Sequence, residues 1–137
     1  MPYVASIGSY LPCWGAPQRR VAGDDEVIEV HDFLTGIELI SYEDLGFAER
    51  FGGYRLVEVE VTTIGWGLPV NPSGGLKAKG HLPGDTGAAQ CVELFEQLRG
   101  EAVNQVDGAR IGLAHNIGGP TAVPAVTILE GSANGAG

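Results

Sequence analysis

Cysteine is scarce in this chain: Cys13 and Cys91 are the only two in 137 residues. They have no metal-ligand spacing and cannot make a disulfide framework, which excludes a stapled scaffold. Positive charge is also scarce. Eight Lys and Arg face 17 Asp and Glu, a formal net charge of −9 at pH 7. That balance argues against nucleic acid or an anionic membrane surface as partner. It also repels an anionic ligand unless a local cationic patch compensates, and Lys77 and Lys79 are the candidates. Long hydrophobic runs are missing too, since nothing approaches the roughly 20 apolar residues of a membrane span. The start carries no basic stretch followed by an apolar one, so no signal peptide is expected. These absences together predict a soluble, cytoplasmic protein.

What is present reads as one globular domain. Hydrophobic residues make up 44% and charged ones 18%, and the length suffices for a real core. The 22 glycines are about twice the ordinary share of roughly 7%. They cluster at 52–53, 65–67, 74–75 and 118–119 without a period, so they belong to turns and close approaches. Residues 2–10 and the pair Ile28 and Val30 predict strands, the second delivering His31 at its end. Residues 35–46 predict a helix with Thr35 as N-cap, Glu38 completing a capping box, and Gly46 as terminator. Its apolar side would be Ile37, Ile40, Tyr42 and Leu45.

From 56 to 62 the alternation of Val57, Val59 and Val61 with Glu58, Glu60 and Thr62 predicts a half-exposed strand. Residues 84–99 predict the clearest helix, with Ala88, Cys91, Val92, Phe95 and Leu98 inward and Gly100 closing it. Arg110–Ala114 predicts a strand presenting His115, and 121–129 a last strand in which Pro124 requires an edge or a bulge. The fold class is therefore α/β, a small mixed sheet covered by helices.

All three histidines sit in short motifs flanked by Gly, Asn or Asp: His31-Asp32, Gly80-His81 and His115-Asn116. Histidine is the side chain that exchanges protons near neutrality, and flanking glycines let a backbone approach a substrate closely. Gly80-His81, followed by Gly84, Thr86 and Gly87, sets a histidine just before a helix N-terminus. A neutral imidazole there can take a proton from a thiol and then face a developing oxyanion. A histidine that merely caps the helix is the bland alternative. Three histidines also form a catalytic zinc set, but their wide separation in sequence lends that reading no local support.

Asn71-Pro72-Ser73-Gly74-Gly75, Lys79-Gly80-His81 and His115-Asn116-Ile117-Gly118-Gly119 resemble the C-terminal half of a thiolase. They are most similar to the sterol-carrier or lipid-transfer branch, whose His-Asn-x-Gly-Gly and His-Asp-Cys-Phe motifs match at His115 and His31. The resemblance divides the chain into an opening strand and loop (1–27), a thiolase C-terminal-like domain (28–130) and a disordered tail (131–137). It implies acyl transfer with coenzyme A as cosubstrate, no permanently bound cofactor and no metal. His81 would be the base for a nucleophilic cysteine, His31 would help hold the thioester oxyanion, and His115 would be the second acid/base. The substrate and coenzyme A would lie against Asn71, Ser73, Gly74, Gly75, Lys77, Lys79, Asn116, Gly118 and Gly119. The implied partners are acyl-CoA or CoA and another thiolase-like chain.

Departures from the pattern fall at the reacting groups. Neither Cys13 nor Cys91 matches the motif of the family's nucleophile, and Phe33 stands where the His-Asp-Cys-Phe motif has its cysteine. The expectation is a thiolase-type domain that is internally truncated and inactive alone, with a non-catalytic acyl-CoA- or lipid-binding module as the alternative. The face that meets the missing half should present apolar surface.

Overall fold

The computed structural model describes residues 2–9, 26–119 and 123–131. Cys13 and the tail from 132 onward lie outside them. Four strands make one mixed sheet in the order β1 (Tyr3–Ser9), β4 (Val123–Glu130), β3 (Ile111–Gly118), β2 (Glu26–Val30). β2 runs parallel to β3, with Glu26 opposite Ile111 and Val30 opposite His115. The other two neighbouring pairs are antiparallel. Among the described residues four helices lie between β2 and β3: α1 (Thr35–Asp44), α2 (Gly53–Glu58), α3 (Gly75–Lys79) and α4 (Thr86–Arg99).

Strand alternation divides the core in two. Ile28, Val30 and Leu113 face Tyr42 and Leu45 of the α1 region, with Leu68 closing that side. Val27, Ala114 and Leu129 face Leu94 of α4 on the other. β2 therefore reads apolar on both faces, as a covered strand must. Gly112 is a glycine because α4 lies flush on the sheet: a Cβ there would come within 3.1 Å of Leu94. Leu94, with no exposure at all, is the keystone of this layer. Leu94→Ala is expected to cost about 3 kcal/mol in urea denaturation, through lost burial plus the cavity left behind.

Several sequence expectations are corrected. Leu34, not Thr35, is the N-cap of α1, and no side chain caps it. Glu38 instead accepts the Tyr42 hydroxyl at 2.7 Å and the Lys77 ammonium at 2.9 Å. Tyr42 and Leu45 are buried, but Ile40 is exposed. Residues 53–58 form α2, and turns follow, in place of the predicted strand. The β2 edge is not open to the valine run, because Val70 bridges Ile28 and the Asn71 amide oxygen accepts the Val30 N–H at 2.8 Å.

The buried stripe of α4 is Thr86, Gln90, Leu94 and Gln97, about one position off the expected one; Ala88 and Val92 are exposed. Two glutamines take inward positions where backbone groups bond both ends of the Gln97 amide and the nitrogen of Gln90. Gln97 donates to Asn104 O and accepts from Val106 N–H. Pro124 lies near the start of β4, an interior strand, opposite Ile117 of β3; the described pairing with β1 reaches Ala125. Among the described residues, no helix is long and apolar enough to cross a membrane.

Candidate functional site

The site forms where β2 and β3 end side by side, the position at which open α/β sheets gather ligands. His31 leaves the end of β2 and is 4% exposed. Its Nδ1 lies 2.7 Å from the Asn116 amide oxygen, supplied by β3. An amide oxygen only accepts, so Nδ1 carries the proton and Nε2 keeps its lone pair. Burial lowers the pKa of His31, and the nearby His81 adds to that; Asn116 and Asp32 oppose it.

His81 comes from the loop before α4 and meets His31 edge-on, ring centres 4.9 Å apart. Its Nδ1 is 2.8 Å from Thr86 Oγ1, whose own proton goes to Leu82 O at 3.2 Å. Thr86 Oγ1 therefore accepts from His81 Nδ1–H, as the Asn116 amide oxygen does from His31. Phe33 completes the cluster, 5.2 Å from His31 and 6.0 Å from His81 between ring centres.

His115 lies within β3 and is 3% exposed. Its Nδ1 is buried without a hydrogen-bond partner. Burial first, and then the neighbouring His31, push its pKa down to about 4. It is a neutral imidazole near pH 7.

The Gly-rich string is tied to the end of β2 by two buried carboxylates, and neither is marked as an anchor by its motif. Glu29 accepts the Ser73 hydroxyl at 2.8 Å and the Ser73 N–H at 3.3 Å. Its burial raises its pKa, and Ser73 and Lys79 partly offset this. Asp32 accepts the Leu76 N–H at 2.7 Å. Gly75 carries φ +62°, and a Cβ there would overlap the Asp32 carboxylate. The sequence signal for Glu29 is a charge set among the apolar residues Val27, Ile28 and Val30 of β2.

Both loop lysines are already paired. Lys77 sits 2.9 Å from Glu38 and 3.9 Å from Asp32; Lys79 sits 3.1 Å from Glu93 and 3.9 Å from Glu29. Their charge is thus shared with carboxylates of the chain itself. A cleft of about 160 Å³ runs between α3 and α4, lined by Glu29, Leu76, Lys79, Gln90 and Glu93 among others; none of the three imidazoles lines it.

Of the predicted residues, the structure brings His31, His81 and Asn116 together, and sets Asn71, Ser73, Gly74 and Gly75 beside the end of β2 through the bonds above. Gly118 and Gly119 are exposed at the far end of β3, and Gly119 takes φ +63°. Cys91 is half-buried against the α4-side core, and burial raises its thiol pKa, which makes a poor nucleophile. No trio of His, Cys, Asp or Glu among the described residues could hold a metal ion. Around His81 the surface is apolar: Phe33, Leu34 and Leu82 stand 37%, 58% and 63% exposed.

Residues 19–131 match the family model described as thiolase C-terminal domain-like. The chain is 51% identical over 113 residues to an acetyl-CoA acetyltransferase of Methanothermobacter thermautotrophicus, a match covering 82% of this chain and 30% of that protein. It is 53% identical over 96 residues to sterol carrier protein 2 of Bos taurus, covering 69% of this chain and 18% of the relative. A solved structure described as an Ltp2-ChsH2(DUF35) aldolase superposes with TM-score 0.70 at 25% identity, over 83% of this chain and 28% of that one. The chain therefore spans less than a third of the length of each.

Proposed function

This chain belongs to the thiolase C-terminal domain-like family, and from that membership we propose that it carries the histidine half of an acyl-CoA acyl-transfer site. The observation that supports the reading best is the pair of edge-on imidazoles, His31 and His81, each with its Nδ1 proton committed and its Nε2 free. Two imidazoles held this way suit thioester chemistry, in which a thiol proton must be taken and an oxyanion held.

On this reading His81 Nε2 takes the proton of a nucleophilic thiol. The sulfur attacks C3 of a 3-ketoacyl-CoA and the C2–C3 bond breaks. The electron pair stays on C2, delocalised onto the thioester oxygen, until His81 returns the proton there. His31 acts on that oxygen through a water, because its Nε2 can accept but not donate. His115, neutral at pH 7, takes the proton of the incoming CoA thiol. That thiol attacks the acyl-enzyme and expels the first sulfur, which recovers the proton.

Cys91 is unsuited to supply the first thiol, so on this reading the thiol belongs to another chain or segment. The apolar rim of Phe33, Leu34 and Leu82 fits such a thiolase-like partner. A second reading, binding of an acyl-CoA without turnover, is favoured by Phe33 standing in the histidine cluster in place of a reactive group.

Titration of coenzyme A and a medium-chain 3-ketoacyl-CoA into the purified chain, with thiolysis followed on the same sample, tests both. Binding without turnover is expected for the chain alone, and turnover once a thiol-bearing partner is added. Absence of binding to either ligand would overturn both readings.

A further inference from the structure

Helix α4 seats on the ends of β2 and β3 at three successive levels. At its start, Gly87 lies so close to Asn116 that a Cβ would come within 2.9 Å of the Asn116 amide nitrogen. One turn on, Gln90 donates both hydrogens of Nε2, to Glu29 O at 3.4 Å and to His115 O at 3.2 Å. A turn further, Leu94 lies against Gly112. The middle level is the unusual one. The β2–β3 ladder ends at the pair Val30 and His115, immediately before His31. The Gln90 amide braces the last rungs of that ladder from the helix side, holding one carbonyl two residues before His31 and the carbonyl of His115 itself.

Packing alone does not require a glutamine here. Gln90 is 2% exposed, and its Oε1 is buried with no hydrogen-bond partner. A leucine would fill the same volume and leave no orphaned acceptor on its own side chain. We propose that Gln90 is a positioning residue: its amide clamps β2 to β3 and thereby fixes the spacing of His31, Asn116 and His115. The three histidines keep their arrangement because the helix that follows His81 also reaches back to the strands that carry the other two. The functional meaning of the clamp rests on the acyl-transfer reading; the clamp itself does not.

The test is Q90L, read by nitrogen-15 spectra of the histidine rings together with urea denaturation. In the intact chain His31 is expected as the Nδ1-protonated tautomer. In Q90L that tautomer should lose its dominance, and the His115 titration midpoint should rise by at least half a pH unit as the strand ends part. The comparison variant is L98A, which thins the packing of the same helix without touching the clamp; it should lower the urea midpoint and leave both histidine signatures in place. Q90M serves the same purpose should Q90L not fold. Unchanged histidine spectra in the folded Gln90 variant, or equal changes in L98A, would overturn the proposal. Failure of the intact chain to bind coenzyme A would remove the acyl-transfer reading, and the ring spectra would still decide whether the clamp exists.

Discussion

Gly75→Ala is expected to cost about 3 kcal/mol of stability and to abolish coenzyme A binding, while Gly80→Ala costs about 1 kcal/mol. Both glycines lie in the same string and both have positive φ, +62° and +93°; the backbone preference of glycine contributes roughly 1–2 kcal/mol at Gly75 and, with ψ 159° at Gly80, roughly 1–3 kcal/mol there. Their surroundings differ. A Cβ at Gly80 meets nothing within 4 Å. At Gly75 it overlaps the Asp32 carboxylate, a side chain 3% exposed that cannot swing into solvent. Asp32 would have to give up the Leu76 N–H, and a hydrogen bond to a charged group contributes roughly 1.5–3 kcal/mol. Because Asp32 adjoins His31, its displacement also moves the histidine cluster. Urea midpoints of the two variants at constant slope provide the measurement, with ligand titration on the same samples. Equal losses in the two variants would mean that the carboxylate contact does not matter.

The contrast between these two glycines shows how far the sequence discloses the molecule. The histidine motifs are legible because glycine, asparagine and histidine in those spacings have few structural uses, and the structure brings His31, His81 and Asn116 together. The sheet is legible where a strand is apolar on both faces, as at Val27 to Val30. Patterning misleads where a local preference has no tertiary outlet. Val57, Val59 and Val61 alternate as a strand would, yet the edge they would join is occupied by Val70 and Asn71. Thr35 and Glu38 spell a capping box, yet Glu38 finds stronger partners in Tyr42 and Lys77.

Along the helix 86–99, apolarity as the mark of the inward face gives a stripe one position out of register. Gln90 and Gln97 point inward there, their amide nitrogens donating to carbonyls that only the folded strands and loops supply. Glu29 is hidden from a sequence reading for the same reason: its partner Ser73 lies 44 positions away. Long-range polar pairs of this kind leave no local period to read.

His115→Leu is expected to leave stability near neutrality within about 1.5 kcal/mol of the parent, as for a volume-conserving core change, and to make the chain the more stable of the two below pH 5. In the unfolded chain a histidine titrates near 6.5; in the fold His115 is held at about 4. Between those values the unfolded state binds a proton that the folded state refuses, so stability falls as the pH drops through this window. The gap corresponds to a loss of roughly 3 kcal/mol once both values are passed. His31, also lowered, has the same sign. Glu29 has the opposite one: its raised pKa means that acid relieves a buried charge in the folded state. Those two contributions are common to parent and variant and cancel when the curves are subtracted. Urea midpoints from pH 7 to pH 4 should therefore separate steadily, by about 3 kcal/mol at the acid end. Parallel curves would show that His115 accepts its proton in the fold as readily as in the unfolded chain, so that burial does not hold it neutral.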